Sequence, residues 1–231
     1  MEDPGRMRAA LILTHNRQEL LDQAVAAIMP QVDIVLVIDN ASDPRATVNK
    51  DVNLLYVPDQ PPNLANLWNR GFDWFKAIRA LRRDYQKLYC DQGMDIAMLC
   101  DDAIAPEGWF AAVTAAMRQT GAATGCSNPW GTPHEPRVKT APDSDIAGRM
   151  VGWAYVIDAD KELRADESMR WWWQDTSLDF ESRLNGGMVM VGGYPVPNSR
   201  PGEYTNIVPG LGEQAGRDAE AFVARWGYRP W

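Results

Sequence analysis

The sequence predicts an α/β fold in which a mostly parallel central sheet is flanked by helices, and three observations carry that reading. Between Arg8 and Cys126 short apolar runs alternate with stretches of helical periodicity, as in a doubly wound sheet. The first, second and fourth runs end in polar strings: Thr14-His15-Asn16-Arg17, Asp39-Asn40-Ala41-Ser42 and Asp101-Asp102. The last of these is followed by Pro106 and a renewed apolar periodicity, the form of a strand that delivers charge to its carboxyl edge before a helix begins. In open α/β sheets that edge is where ligands bind.

The elements follow in order. Arg8 to Leu13 reads as a strand, and Gln18 to Met29 as a helix, with Leu20, Leu21, Ala24, Val25 and Ile28 on one face and Pro30 as its stop. Ile34 to Ile38 is a β-branched strand, and a strand–helix–strand unit of this length implies a right-handed parallel crossover. Asn53 to Val57 makes a third strand, followed by the turn-rich Pro58-Asp59-Gln60-Pro61-Pro62. From Asn63, a long helix aligns Leu64, Leu67, Trp68, Phe72, Phe75, Ile78 and Leu81. Asn63, Asn66 and Asn69 recur at i, i+3 on it, so three amides share one side. Asn is a poor helix-interior residue, and capping explains one of the three more readily than all of them.

Asp95 to Leu99 is the fourth strand, Pro106 to about Gln119 a helix, and Gly121 to Cys126 a fifth strand. A proline-punctuated loop then runs from Asn128 to about Asp145, longer than the ~4–6 residues usual in compact domains. Gly152 to Asp158 is strand-like. Trp171 to Gly187 reads as a helix carrying Phe180 and Leu184 on one face, with Asp175 and Asp179 one turn apart and glycines at its end. Met188 to Val191 is a last strand, Gly192 to Gly212 a loop, and Ala219, Phe222, Val223 and Trp226 mark a terminal amphipathic helix.

Composition excludes several function classes. With 231 residues, 45% of them apolar, the chain can build one large core. A net charge of −8 and the lack of a basic stripe exclude a nucleic-acid groove. Arg79, Arg82 and Arg83 form the densest basic cluster, at a helix end that favours cations. Cys90, Cys100 and Cys126 are odd in number and lack metal-ligand spacing, which fits a reducing, cytoplasmic setting. The acidic N-terminus is unlike a signal peptide, and no run approaches the ~18 apolar residues of a membrane span. Of ten tryptophans, seven lie from Trp130 onward, so stacking surfaces for a ring-shaped ligand compete there with core packing. Asp101-Asp102 taken alone reads as a solvated turn, for which Asp is a common former.

Three stretches in order resemble the GT-A fold glycosyltransferases, in particular the inverting family 2. Leu11 to Arg17 with Val37 to Ser42 resembles that family's opening; Leu99 to Trp109 resembles its metal-binding strand end; Trp173 to Asp179, followed by Arg183 and Gly186, resembles its base-bearing helix start. The resemblance spans roughly residues 8 to 191. It implies one GT-A, Rossmann-like domain, with residues 1–127 as the nucleotide-sugar half and 128–231 as the acceptor and catalytic-base half. It further implies an inverting, metal-dependent transfer of a sugar from a nucleoside diphosphate, a UDP-sugar being favoured, to a hydroxyl on a protein, glycan or small molecule.

The implied roles are residue by residue. Asp102 aligns with the terminal ligand of a divalent Mn²⁺ or Mg²⁺, and Asp101 lies near the metal or the ribose. Thr14, Asn16, Arg17, Asp39 and Asn40 would complete the donor pocket, lined on one side by Asn63, Asn66 and Asn69. Asp175 aligns with the base that takes the acceptor's proton, N-capping being its structural alternative. Asp179 is expected to pair with Arg183 one turn later. Trp153, Trp172 and Trp173 could stack on the acceptor. Two departures from the family stand out: Cys100 replaces a usual Asn or Asp, and Met188 to Asn206 contains no His, the chain's two being His15 and His134. A nucleotidyltransferase would need a glycine-rich loop after the first strand, which Thr14 to Arg17 lacks; a non-catalytic nucleotide- or carbohydrate-binding module would bind without turnover.

Overall fold

The structure is a computed structural model that describes residues 5–85, 93–144, 148–198 and 209–229. Eight strands form one sheet: β1 (Met7–Thr14), β2 (Ile34–Asn40), β3 (Asn53–Val57), β4 (Met94–Cys100), β5 (Thr124–Ser127), β6 (Arg137–Lys139), β7 (Ala154–Asp158) and β8 (Met188–Val191). Their spatial order is β3-β2-β1-β4-β7-β5-β8-β6. The helices are α1 (Gln18–Ile28), α2 (Leu64–Tyr85), α3 (Trp109–Thr120), α4 (Gln174–Leu184) and α5 (Leu211–Trp226).

The sheet is buried on both faces, which is why its central strands read as continuous apolar runs rather than alternating ones. On one face, Leu21, Ala24, Val25 and Ile28 of α1 join Trp109, Phe110, Val113 and Met117 of α3 against Ala10, Ile12, Val35 and Val37. On the other, Leu67, Trp68, Phe72 and Phe75 of α2 and Leu178 of α4 cover Leu11, Leu13, Met98 and Tyr155. Gly71 lets α2 lie close to β1, since a Cβ there would stand 2.2 Å from a Leu11 methyl. A cavity of about 1100 Å³ lies between α1 and α3, lined by residues such as Arg8, Gln31, Asp33 and Phe110, and none of the predicted site residues lines it.

Strand direction is where the structure departs from a doubly wound sheet. β1 pairs in parallel with β2 and β4, β2 with β3, and β5 with β8. β7, however, is wedged antiparallel between β4 and β5, and the short β6 closes the edge antiparallel to β8. The apolar run of β7 identifies a buried strand but not its direction, and β6 lies inside the expected proline-rich loop. α3 starts at Trp109, after Gly108 in a left-handed conformation (φ 77°), rather than at Pro106; Gly121 (φ 73°) caps its end instead of opening β5. Cys90, Asp145, residues 199–208 of the Gly192–Gly212 loop and the side chains of Arg82 and Arg83 lie outside the described residues.

The chain leaves β1 through α1 to reach β2 on one side, and returns from β3 through α2 to β4 on the other. The order therefore reverses between β1 and β4, and the carboxyl ends of those two strands flank the crevice that such a reversal opens. Among the described residues, no helix is long and apolar enough to cross a membrane.

Candidate active site

Thr14 and Arg17 from the end of β1 meet Asp101 and Asp102 from the end of β4 at this reversal. Thr14 Oγ1 donates to Asp101 Oδ2 at 2.8 Å. One guanidinium nitrogen of Arg17 spans both carboxylates, 3.1 Å from Asp101 Oδ1 and 3.3 Å from Asp102 Oδ2. Arg17 occupies the N-cap position of α1 without capping it through its side chain, which instead reaches across to β4. Both aspartates are buried, at 4% and 3% exposure. Burial pushes the Asp101 carboxyl up to about 6, against the opposing pull of Arg17 and Thr14 and with a further push from Asp102. Cys100, beside them, is held as a neutral thiol by burial and by the charges of Asp102 and Asp101. A thiol suits a hard cation poorly.

Asp39, Asn40 and Asn16 shape the neighbouring loops. Asp39 is fully buried, and its two oxygens accept the backbone N–H groups of Ser42 (3.0 Å) and Ala46 (2.8 Å). Its carboxylate holds its own loop. Asn40 Nδ2 donates to the carbonyls of Val57 and Asp59 at 3.1 and 3.0 Å. Asn16, at φ 55°, binds the Ser42 hydroxyl through its backbone N–H and accepts from Asp43 N–H through its side chain, joining the first loop to the second.

The three amides of α2 face a different partner from the one expected. Asn69 Nδ2 donates to Glu167 Oε1 (2.8 Å) and to the Ala165 carbonyl (2.9 Å), while Ala165 N–H returns a bond to Asn69 Oδ1 at 3.0 Å. Asn66 Nδ2 donates to Glu167 Oε2 at 3.0 Å, and Asn63 Nδ2 to the Glu167 carbonyl at 3.3 Å. Asn63 also caps α2, accepting Asn66 N–H at 3.0 Å. The ladder therefore docks the 165–167 segment.

Asp175 sits in the first turn of α4, one residue inside the helix and so not its N-cap. Its Oδ1 accepts Thr176 N–H at 2.8 Å, and its Oδ2 lies over Gly152, where a Cβ would stand 1.9 Å away. Gly152 adjoins Trp153, whose carbonyl accepts Cys100 N–H at 3.0 Å, so Asp175 lies near the end of β4. Burial raises the Asp175 carboxyl, opposed by Thr176 N–H and by Arg149. Asp179 and Arg183 form the expected i, i+4 pair, bidentate at 2.9 and 2.6 Å and fully buried, with Asp179 Oδ2 also accepting Met150 N–H.

Trp153 anchors its indole N–H on the Val196 carbonyl at 2.7 Å, and its own carbonyl accepts Cys100 N–H, which places it beside the acidic edge. Trp172 is 39% exposed, and Trp173 lies between it and Phe222 with Arg149 over its ring. Asp218 of α5 carries no motif and escapes sequence reading. It is fully buried and accepts the N–H groups of Arg170, Trp171 and Trp172 at 3.0, 2.7 and 2.9 Å, fixing the tryptophan segment. An acidic residue on the inner face of an amphipathic helix is the signal that could have found it.

Among the described residues no cluster of three or more His, Cys, Asp or Glu side chains could hold a metal. The ring of His15 turns to the Asn40 carbonyl and that of His134 to the Glu135 carbonyl. Asp101 and Asp102 are the residues that could hold a cation such as Mg²⁺, which is commonly bound by one or two carboxylates plus substrate phosphates and water.

The fold is similar to that of TarS from S. aureus. Its 1–349 fragment superposes with a TM-score of 0.56 at 9% identity over 96% of this chain and 72% of that one. The same fragment in complex with UDP gives 0.59 at 9% identity and the same coverage; in complex with UDP-GlcNAc it gives 0.50 at 10% identity, over 96% and 73%. No protein-family model and no curated protein matches the chain in sequence.

Proposed function

We propose that the chain is an inverting, metal-dependent glycosyltransferase of the family 2 type, acting on a nucleoside-diphosphate sugar, a UDP-hexose being favoured, and a hydroxyl acceptor in the cytoplasm. The observation that carries this reading is the convergence of Thr14, Arg17, Asp101 and Asp102 at the strand-order reversal, with Asp175 placed near the same strand end through Gly152 and Trp153. That TarS, on a similar fold, is found with UDP and UDP-GlcNAc supports the donor class.

In this reading Asp101 and Asp102 would hold Mg²⁺ or Mn²⁺, which when bound supplies positive charge against the growing charge of the departing diphosphate. Asp175 takes the acceptor hydroxyl's proton as that oxygen attacks the anomeric carbon. The new C–O bond forms as the sugar–phosphate bond breaks on the opposite face, and the nucleoside diphosphate leaves with the electron pair. A carboxylate whose proton affinity is raised by burial is better suited to accept that proton than an exposed one. Residues 1–127 form the donor half and residues 128–231 the acceptor half, with Trp172 offering its exposed ring to the acceptor.

The test is UDP release from UDP-sugars in the presence of Mn²⁺, measured alongside UDP binding by calorimetry. Asp175→Asn should lower turnover about 10²–10⁴-fold while UDP still binds. Retention of near wild-type turnover removes Asp175 as the base. Absence of binding by any nucleoside diphosphate, or pyrophosphate release from a nucleoside triphosphate and a sugar phosphate, overturns the glycosyltransferase reading itself.

A further inference from the structure

The Arg17 guanidinium occupies the notch between Asp101 Oδ1 and Asp102 Oδ2, at 3.1 and 3.3 Å from the two oxygens. We infer that Arg17 is an exchangeable counter-cation: a divalent ion seated on this pair displaces the guanidinium, which then turns to the diphosphate of the donor. The inference rests on the proposed reading of the site as a diphosphate pocket, and it concerns what Arg17 does there.

Position favours the exchange, because the Arg17 nitrogen lies at 3.1 and 3.3 Å from the two oxygens that would hold the ion, so the two cations compete for the same carboxylates. Charge favours it as well. Two carboxylates only 4% and 3% exposed cannot rely on water for neutralisation, so Arg17 stabilises them while no ion is present. Once a dication takes over, the guanidinium is repelled at close range. Its planar fork matches phosphate oxygens bidentately, and Arg17 sits at the start of α1, where the helix dipole also favours an anion. Ion and nucleotide thereby strengthen each other, because each relieves the same Arg17 contact.

The experiment is Mn²⁺ binding followed by electron paramagnetic resonance, with and without UDP, on the whole chain and on Arg17→Met. Arg17→Met should bind Mn²⁺ alone about tenfold more tightly than wild type, bind UDP more weakly, and show a smaller UDP-induced gain in Mn²⁺ affinity. Equal or weaker Mn²⁺ binding in Arg17→Met overturns the exchange, as does absence of Mn²⁺ binding in both proteins. In case the variant does not fold, Mg²⁺ titration of the wild type followed through the Arg17 side-chain N–H resonance reports the same event. Loss of the hydrogen-bonded signal supports exchange, and an unchanged signal at saturating Mg²⁺ overturns it. Failure of the family reading gives a different pattern: Mn²⁺ still competes with Arg17, but UDP binds neither protein.

Discussion

Thr14 Oγ1 donates a 2.8 Å hydrogen bond to Asp101 Oδ2 and so ties the end of β1 to the end of β4 across the reversal of strand order. Even with that donor and Arg17, burial leaves the Asp101 carboxyl at about 6. A folded-state pKa above the unfolded one means that the native protein binds the proton more tightly. Ionising Asp101 therefore costs nothing below about pH 4, costs progressively more as pH rises towards 6, and carries its full cost above that, of order 2–3 kcal/mol. Asp101→Asn should raise the melting temperature by roughly 5 °C at pH 7.5 and leave it nearly unchanged at pH 4. Thermal unfolding at the two pH values decides this, and an equal effect at both contradicts it.

Gly152 gives the Asp175 carboxylate its place. A methyl group at 152 would stand 1.9 Å from Oδ2, and the backbone there does not require glycine for its conformation. Gly152→Ala should leave the protein folded and push the carboxylate aside, lowering turnover about 100-fold, the usual consequence of misplacing a reacting group by an ångström. UDP affinity should be unchanged, because Asp175 lies on the acceptor side in the proposed reading. Turnover within a factor of two of wild type would show that the position of Asp175 does not matter to the reaction.

The α2 amides give a third expectation. Asn69 exchanges hydrogen bonds with both backbone groups of Ala165, and Asn69 and Ala165 are both buried. Asn69→Ala leaves those groups unpaired and should cost about 1–3 kcal/mol in chemical denaturation. UDP affinity should stay within a factor of two, whereas a residue lining the donor pocket would lower it.

Much of this fold is written in local pattern. β3 and β8 run over the residues expected, and the limits of β1, α1, β2 and β4 shift by one or two residues, because apolar runs and helical spacing report burial directly. Direction and distant partners are not local properties. The run of β7 gives no sign that it lies antiparallel between β4 and β5. The spacing of Asn63, Asn66 and Asn69 shows that they share a face, but Glu167, about a hundred residues away, decides what that face meets. The strand-end position of Asp39 is legible, whereas the two N–H groups that the bend of its own loop brings to it are not. Asp101, Asp102, Thr14 and Arg17 were readable together because all four occupy the ends of neighbouring strands, the position that alternation of elements predicts without knowledge of any side-chain contact.

Asp218 also bears on the order in which the molecule is completed during synthesis. Its carboxylate collects N–H groups that leave the ribosome 46 to 48 residues earlier, whereas β1 to β4 are joined through consecutive crossovers. The strands that flank the crevice are thus made before the residue that anchors the tryptophan segment. A chain ending before α5 lacks the carboxylate that gathers the N–H groups of Arg170, Trp171 and Trp172.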